Sequence, residues 1–248
     1  MSIARLQARR LFASALPWVL AALSLAWLAW RFLLAMDQFL QAQDKLAALP
    51  DAPGFTDLVT VPLLAQVAEL GIVLAPLIGM SMLAGERRAG TLPLLFAAGI
   101  APWRIVVGKF LVAWGWLLAL LLVVVSMPLL AAWGVAPDWG KLAAAVLGVA
   151  LFLGVLAAIA LAASACVSHP ALAAAIALAV SVGLWALNAG VRANGVTGGL
   201  LNYLAASSHL QALLKGWIGS VDVAYFVLLT ALALALASQR LGADRVRC

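Results

Sequence analysis

Long apolar runs separated by short polar breaks set the pattern of this chain. A helix needs about 20 apolar residues to cross a bilayer core of roughly 30 Å. Runs of that kind predict an all-α polytopic membrane protein. Its six spans fall at about 13–36, 58–83, 105–133, 142–165, 171–187 and 221–238, and together they make one transmembrane domain over 1–248. The first run is too long for the core of a cleavable signal and has no small-residue cleavage site after it.

The polar breaks have their own structure. MSIARLQARRLF carries Arg5, Arg9 and Arg10 and reads as a short interfacial helix. The first span ends near Trp27 and Trp30, with Arg31 able to snorkel outward from its end. A polar outer loop is predicted from Asp37 to about Asp57. QFLQAQDKLAAL within it forms a possible surface helix, stopped by Pro50 and the Pro53-Gly54 turn. A short outer hairpin is predicted over 134–141 and a tight inner turn over 167–170. The segment 188–220 predicts two short helices in the outer leaflet, broken at Ser207-Ser208. The fourth span is rich in Ala and Gly, which let helices approach closely in lipid.

The longest charged break is GERRAGTLPLLFAAGIAPWRIVVGKF, from Gly85 to Phe110. Thr91 can cap a helix starting at Leu92, where Pro93 is tolerated because first-turn amides have no helical partner. Gly99 can end that helix in a left-handed turn, and Pro102 suits the start of the next one. The result is a short apolar helix with Leu92, Leu94, Leu95 and Phe96, flanked by Glu86, Arg87 and Arg88. Such an element suits a membrane surface or a partner's groove.

Composition narrows the class. Hydrophobic residues make up 67% of the chain and charged residues only 10%, which excludes a soluble globular domain of this length. The net charge of +6 reads as basic loops against anionic lipid rather than as a nucleic-acid surface. Ten of the 15 Lys and Arg fall on one side of the predicted topology, counting Arg5, Arg9, Arg10, Arg87, Arg88, Arg104, Lys109, Arg240, Arg245 and Arg247. The positive-inside rule then puts both termini and the central break in the cytoplasm. Cys166 and Cys248 do not make a disulfide framework, and the two histidines have no metal-site spacing.

A few residues stand out chemically. Gln66 and Glu69 lie inside the second span, and an ionisable group there is a functional candidate by default. The bland alternative is that Glu69 pairs with Gln66 or a neighbouring helix, or sits in water near the outer end. His209 reads as a satisfied interfacial histidine, and Trp133, Trp139, Trp185 and Trp217 as an interfacial belt. Arg87 and Arg88 taken singly read as positive-inside anchors; their place before a capped apolar helix is what points further.

The central break resembles the cytoplasmic loop of type-two ABC exporter permeases. The likeness rests on Glu86, Arg88, Gly90-Thr91, Leu92, Leu94-Leu95 and Gly108-Lys109. The C-terminal region resembles the subgroup serving gliding motility and nitrous-oxide-reductase maturation, through His209, Leu213, Gly216, Ile218, Asp222, Tyr225, Phe226 and Thr230. Gly219 stands where that subgroup often has an acidic residue. The resemblance implies a half-size permease of a bacterial inner membrane that pairs with a second permease chain, as a homodimer or with a paralogue, and is driven by separate nucleotide-binding ATPase subunits, with an auxiliary outer-face protein a further possible partner. It assigns Glu86 to Phe96 to ATPase coupling, and His209, Gly216, Asp222 and Tyr225 to an outer-face motif. The first span, the Ala/Gly-rich spans and 188–220 are then candidates for the chain–chain contact. This chain would bind no cofactor of its own, with ATP and Mg held by the ATPase. Consistently, the sequence has no G-x-x-x-x-G-K-[ST] phosphate loop, since Phe110 follows Gly108-Lys109. The alternatives are a membrane-embedded enzyme or scaffold, which needs paired catalytic groups at matched depth, and a secondary transporter, which usually shows two repeated halves.

Overall fold

Helix is the only regular structure among the described residues, and its arrangement follows from the apolar runs. The computed structural model describes residues 3–47, 53–91, 99–131, 137–193 and 205–247. The helices are α1 (Ile3–Ala13), α2 (Ala15–Ala47), α3 (Val61–Gly79), α4 (Ala84–Arg88), α5 (Pro102–Ala131), α6 (Trp139–Cys166), α7 (Pro170–Ala193), α8 (Ala206–Leu214) and α9 (Ser220–Arg247). A π-helical turn, Thr56–Thr60, precedes α3. Six helical segments are long and apolar enough to cross a membrane, giving a multi-pass architecture.

The third span begins at Pro102, where a first-turn proline leaves no helical amide unsatisfied. Asp138 caps α6, its side chain accepting from the Lys141 amide at 3.1 Å. Two sequence expectations change. The first span does not give way to a loop at Asp37: α2 continues unbroken to Ala47. No Gly or Pro interrupts the chain between Asp37 and Pro50, and Gln41 Nε2 donates to Asp37 Oδ2 one turn back at 2.8 Å. The break expected at Ser207-Ser208 falls just before them: α8 starts at Ala206, after the extended Ala205, and the two serines lie in its first turn, where the Ser208 hydroxyl donates to the Ala205 carbonyl. α8 also buries His209, Leu210, Leu213 and Leu214 against the ends of α6 and α7, so it packs on the bundle. The other short helix expected in this segment falls within 194–204, outside the described residues.

α6 is the axis of the fold. Its span is 72% buried, against 11% for the span of α2, so the Ala- and Gly-rich surface of the fourth span is used up inside the chain. α3, α5, α7 and α9 surround it. Phe152 of α6 lies against Trp185 of α7 and Phe226 of α9, and the Trp114 indole of α5 donates to the Ala150 carbonyl of α6 at 2.9 Å. α2 leans on α3 and α5 from outside, exposing Trp18, Leu23, Trp27, Trp30 and Leu33.

α1, α4, the start of α5 and the end of α9 meet at one end of the bundle, called here the arginine-rich end. Side-chain contacts join all four, so both termini lie on the same side. At the far end, Lys141 pairs with Asp57 at 2.7 Å and the Thr56 hydroxyl accepts from the Asp138 amide at 3.0 Å.

Candidate functional site

The charged break of the sequence becomes a braced elbow at the arginine-rich end. α3 stops at Gly79, and the turn that follows leaves backbone groups without helical partners. Ser164 of α6 replaces those bonds. Its hydroxyl oxygen accepts from the Leu83 and Ala84 amides at 3.0 and 2.9 Å, and the hydroxyl donates to the Met80 carbonyl at 3.1 Å. The short α4 then closes with a Schellman motif. The Thr91 amide reaches the Glu86 carbonyl at 3.0 Å and the Gly90 amide the Arg87 carbonyl at 3.2 Å. That closure needs a left-handed residue, and Gly90 supplies it with φ +66°. The Thr91 hydroxyl turns back to donate to the Glu86 carbonyl at 3.3 Å, so it helps to end α4. The helix it was expected to cap, with Leu92, Leu94, Leu95 and Phe96, lies outside the described residues. Beyond it, Gly99 takes the left-handed conformation the sequence suggested, with φ +71°.

Lys109 ties the two stems of the break together. It sits two turns into α5 and is 0% exposed. Its ammonium pairs with Glu86 Oε1 at 2.8 Å, donates to the Met82 carbonyl at 2.6 Å and reaches Gln7 Oε1 of α1 at 3.2 Å. Among the described residues these three acceptors can take the N–H donors of the ammonium, which helps the charge to be buried. Arg87 pairs with Asp244 near the end of α9 in a half-buried bridge. Glu86 and Arg87 therefore direct their charges inward, while Arg88 is exposed. A cavity of about 440 Å³ opens beside the elbow, lined by Gln7, Leu11, Ser14, Met80, Glu86 and Thr91 among others.

The far end holds the second group of expected residues, and most of it does come together. His209 Nδ1 donates to Asp222 Oδ1 at 2.6 Å, and the imidazole stacks on Tyr225 with centroids 4.3 Å apart. Both partners come from the first turns of α9, so the contact clamps α8 to the last span. Gly216 ends α8 in a left-handed turn, with φ +89°. A Cβ on Gly219 would lie 2.6 Å from Asp222 Oδ2, so a side chain at this position would displace the carboxylate that holds His209.

Gln66 and Glu69 separate. Gln66 Oε1 accepts from Arg31 Nε of α2 at 3.2 Å, so Arg31 is held against α3 instead of extending away from the end of its span. A polar cleft of about 270 Å³ lies here, lined by Arg31, Gln38, Pro62 and Gln66 among others. Glu69 is exposed, on the same outer face of α3 as Pro62 and Val73, and has no ion pair or hydrogen bond among the described residues. It lies about 20 Å of helix from Thr56 and about 15 Å from Gly79, well inside the span. Pairing with Gln66, one of the bland readings, is not what the fold does.

Asp244, Ser164, Gln7 and Arg31 complete these arrangements without having been singled out as site residues. Lys109 carried a partial signal, as the lone charge entering an otherwise apolar third span. Ser164 carried none, because one serine in a small-residue run looks like packing. Among the described residues no three His, Cys, Asp or Glu side chains gather as a metal site. No protein-family profile matches this chain, and a comparison with curated proteins finds no match.

Proposed function

We propose that this chain is the transmembrane subunit of an ATP-driven ABC exporter, with the arginine-rich end in the cytoplasm and residues 92–98 docking into a separate nucleotide-binding ATPase. The observation that carries this reading is the bracing of both stems of that stretch. Glu86 on one stem and Lys109 on the other form a buried pair, Lys109 extends it to α1, Ser164 to α6 and Asp244 to α9. A push on residues 92–98 therefore reaches spans two, three, four and six through short charged or hydrogen-bonded contacts. Among the described residues of the elbow, Glu86, Arg87, Lys109 and Ser164 are all engaged in contacts that join helices.

The exposed Glu69 fits the same reading. A carboxylate facing lipid at this depth costs about 2.5–3.5 kcal/mol on insertion scales, so a second chain or a water-filled path should cover it. The outer faces of α2 and α3 then become the candidate contact with a second permease chain, giving two permease and two ATPase subunits. The substrate would pass, or force would be transmitted, along that face. Affinity purification of the tagged chain from its own membrane tests the proposal. An ATPase with a phosphate loop should co-purify, with two permease chains per complex. An active complex without a nucleotide-binding subunit would overturn it.

A further inference from the structure

α7 and α9 diverge over α6 and leave an apolar groove of about 470 Å³ on the outside of the bundle. Its floor is Ile159, Ala162 and Ala163; its walls are Ile176, Val180 and Leu184 on one side and Leu229, Leu232, Ala233 and Leu236 on the other. One charged residue lines it: Arg240, at the arginine-rich end, beside the exposed Cys166. Asp244, one turn beyond Arg240, is already engaged by Arg87. Arg240 is exposed and makes no ion pair among the described residues.

Length and charge together select the occupant. From Leu229 to Arg240 the helix rises about 16 Å, close to half of a bilayer core of about 30 Å. A transmembrane helix of a partner would need a groove of full height. An acyl chain from one leaflet needs half, with its headgroup at the membrane surface. A cation at that level favours an anionic headgroup, because the guanidinium presents a fork of donors suited to phosphate. We infer that this groove is a binding site for an anionic phospholipid of the leaflet at the arginine-rich end, with an acyl chain between α7 and α9 and its phosphate on Arg240. The site is independent of the ATPase reading, since it uses neither the elbow nor the orientation of the chain.

Cys166 provides the test. In a Cys248→Ser background it is the sole thiol of the chain. Its alkylation by N-ethylmaleimide can be timed in detergent with added phosphatidylglycerol or, at the same mole fraction, phosphatidylcholine. Phosphatidylglycerol should slow labelling at about fivefold lower concentration than phosphatidylcholine, the preference one surface arginine supplies. Arg240→Gln should erase that preference and Arg240→Lys should keep most of it. Both changes fall on an exposed side chain, and an unchanged gel-filtration profile checks the fold. Equal protection by the two lipids would overturn the inference. So would a preference for phosphatidylglycerol that survives Arg240→Gln, which would mark a general surface-charge effect on the thiol.

Discussion

Lys109→Met gives the sharpest probe of the elbow. The wild-type ammonium is fully buried against Glu86, the Met82 carbonyl and Gln7. Methionine fills a similar volume but takes the Lys109 charge away from the Glu86 carboxylate, itself mostly buried. Breaking a buried pair from one side costs about 3–5 kcal/mol, because the surviving charge stays desolvated. At about 2–4 °C per kcal/mol for a chain of this size, the melting temperature should fall by roughly 6–20 °C. Glu86→Gln should cost less, since an amide oxygen can still accept from Lys109. The double variant should recover part of the loss, as removing both charges removes the desolvation problem. The assay is thermal unfolding of the purified chain in one detergent, by tryptophan fluorescence. A Lys109→Met variant that melts with wild type would refute the buried-pair reasoning. Strictly additive losses in the double variant would show that the two residues are not coupled.

Other changes separate structural from functional roles. Ser164→Ala should destabilise by about 1–3 kcal/mol, because the buried Leu83 and Ala84 amides lose their acceptor; an unchanged melting temperature would count against the brace. Glu69→Gln should keep expression and assembly but impair transport in reconstituted vesicles, and wild-type transport would return Glu69 to a merely structural role. Gly219→Asp should weaken the His209–Asp222 clamp, by steric displacement and by like-charge repulsion, and raise proteolytic cleavage around α8; unchanged protection would refute the clamp.

The fold was legible wherever the signal was local. Apolar run length gave the six spans, and Pro102 and Gly99 sat where turn and cap chemistry puts them. The extension of α2 to Ala47 was hidden because polar residues were read as a loop, although nothing between Asp37 and Pro50 breaks a helix. The candidate site was only half legible for a different reason. Glu86 and Arg87 read only as charges flanking an apolar helix because a sequence shows a charge and not its partner. Their partners, Lys109 and Asp244, come from α5 and from α9 far along the chain. His209, Asp222 and Tyr225 were named together through the family resemblance, and they do meet, across two consecutive helices. Arg31 with Gln66 and Ser164 with the turn at 80–83 are long-range pairs that periodicity cannot suggest.

The role of residues 92–98 is the central claim, and substrate-linked ATP turnover in the assembled complex tests it most directly. Buried apolar anchors hold most of the energy of such a contact, at about 2 kcal/mol or more for each hot spot. Leu94→Asp or Leu95→Asp should therefore abolish coupled turnover while the chain still inserts and folds. Arg87→Ala removes a partly exposed bridge worth about 1 kcal/mol or less, so turnover should fall only slightly, and by less still at high salt. A silent Leu95→Asp beside an inactive Arg87→Ala would contradict the account and mark the stretch as a lipid anchor or a charge latch.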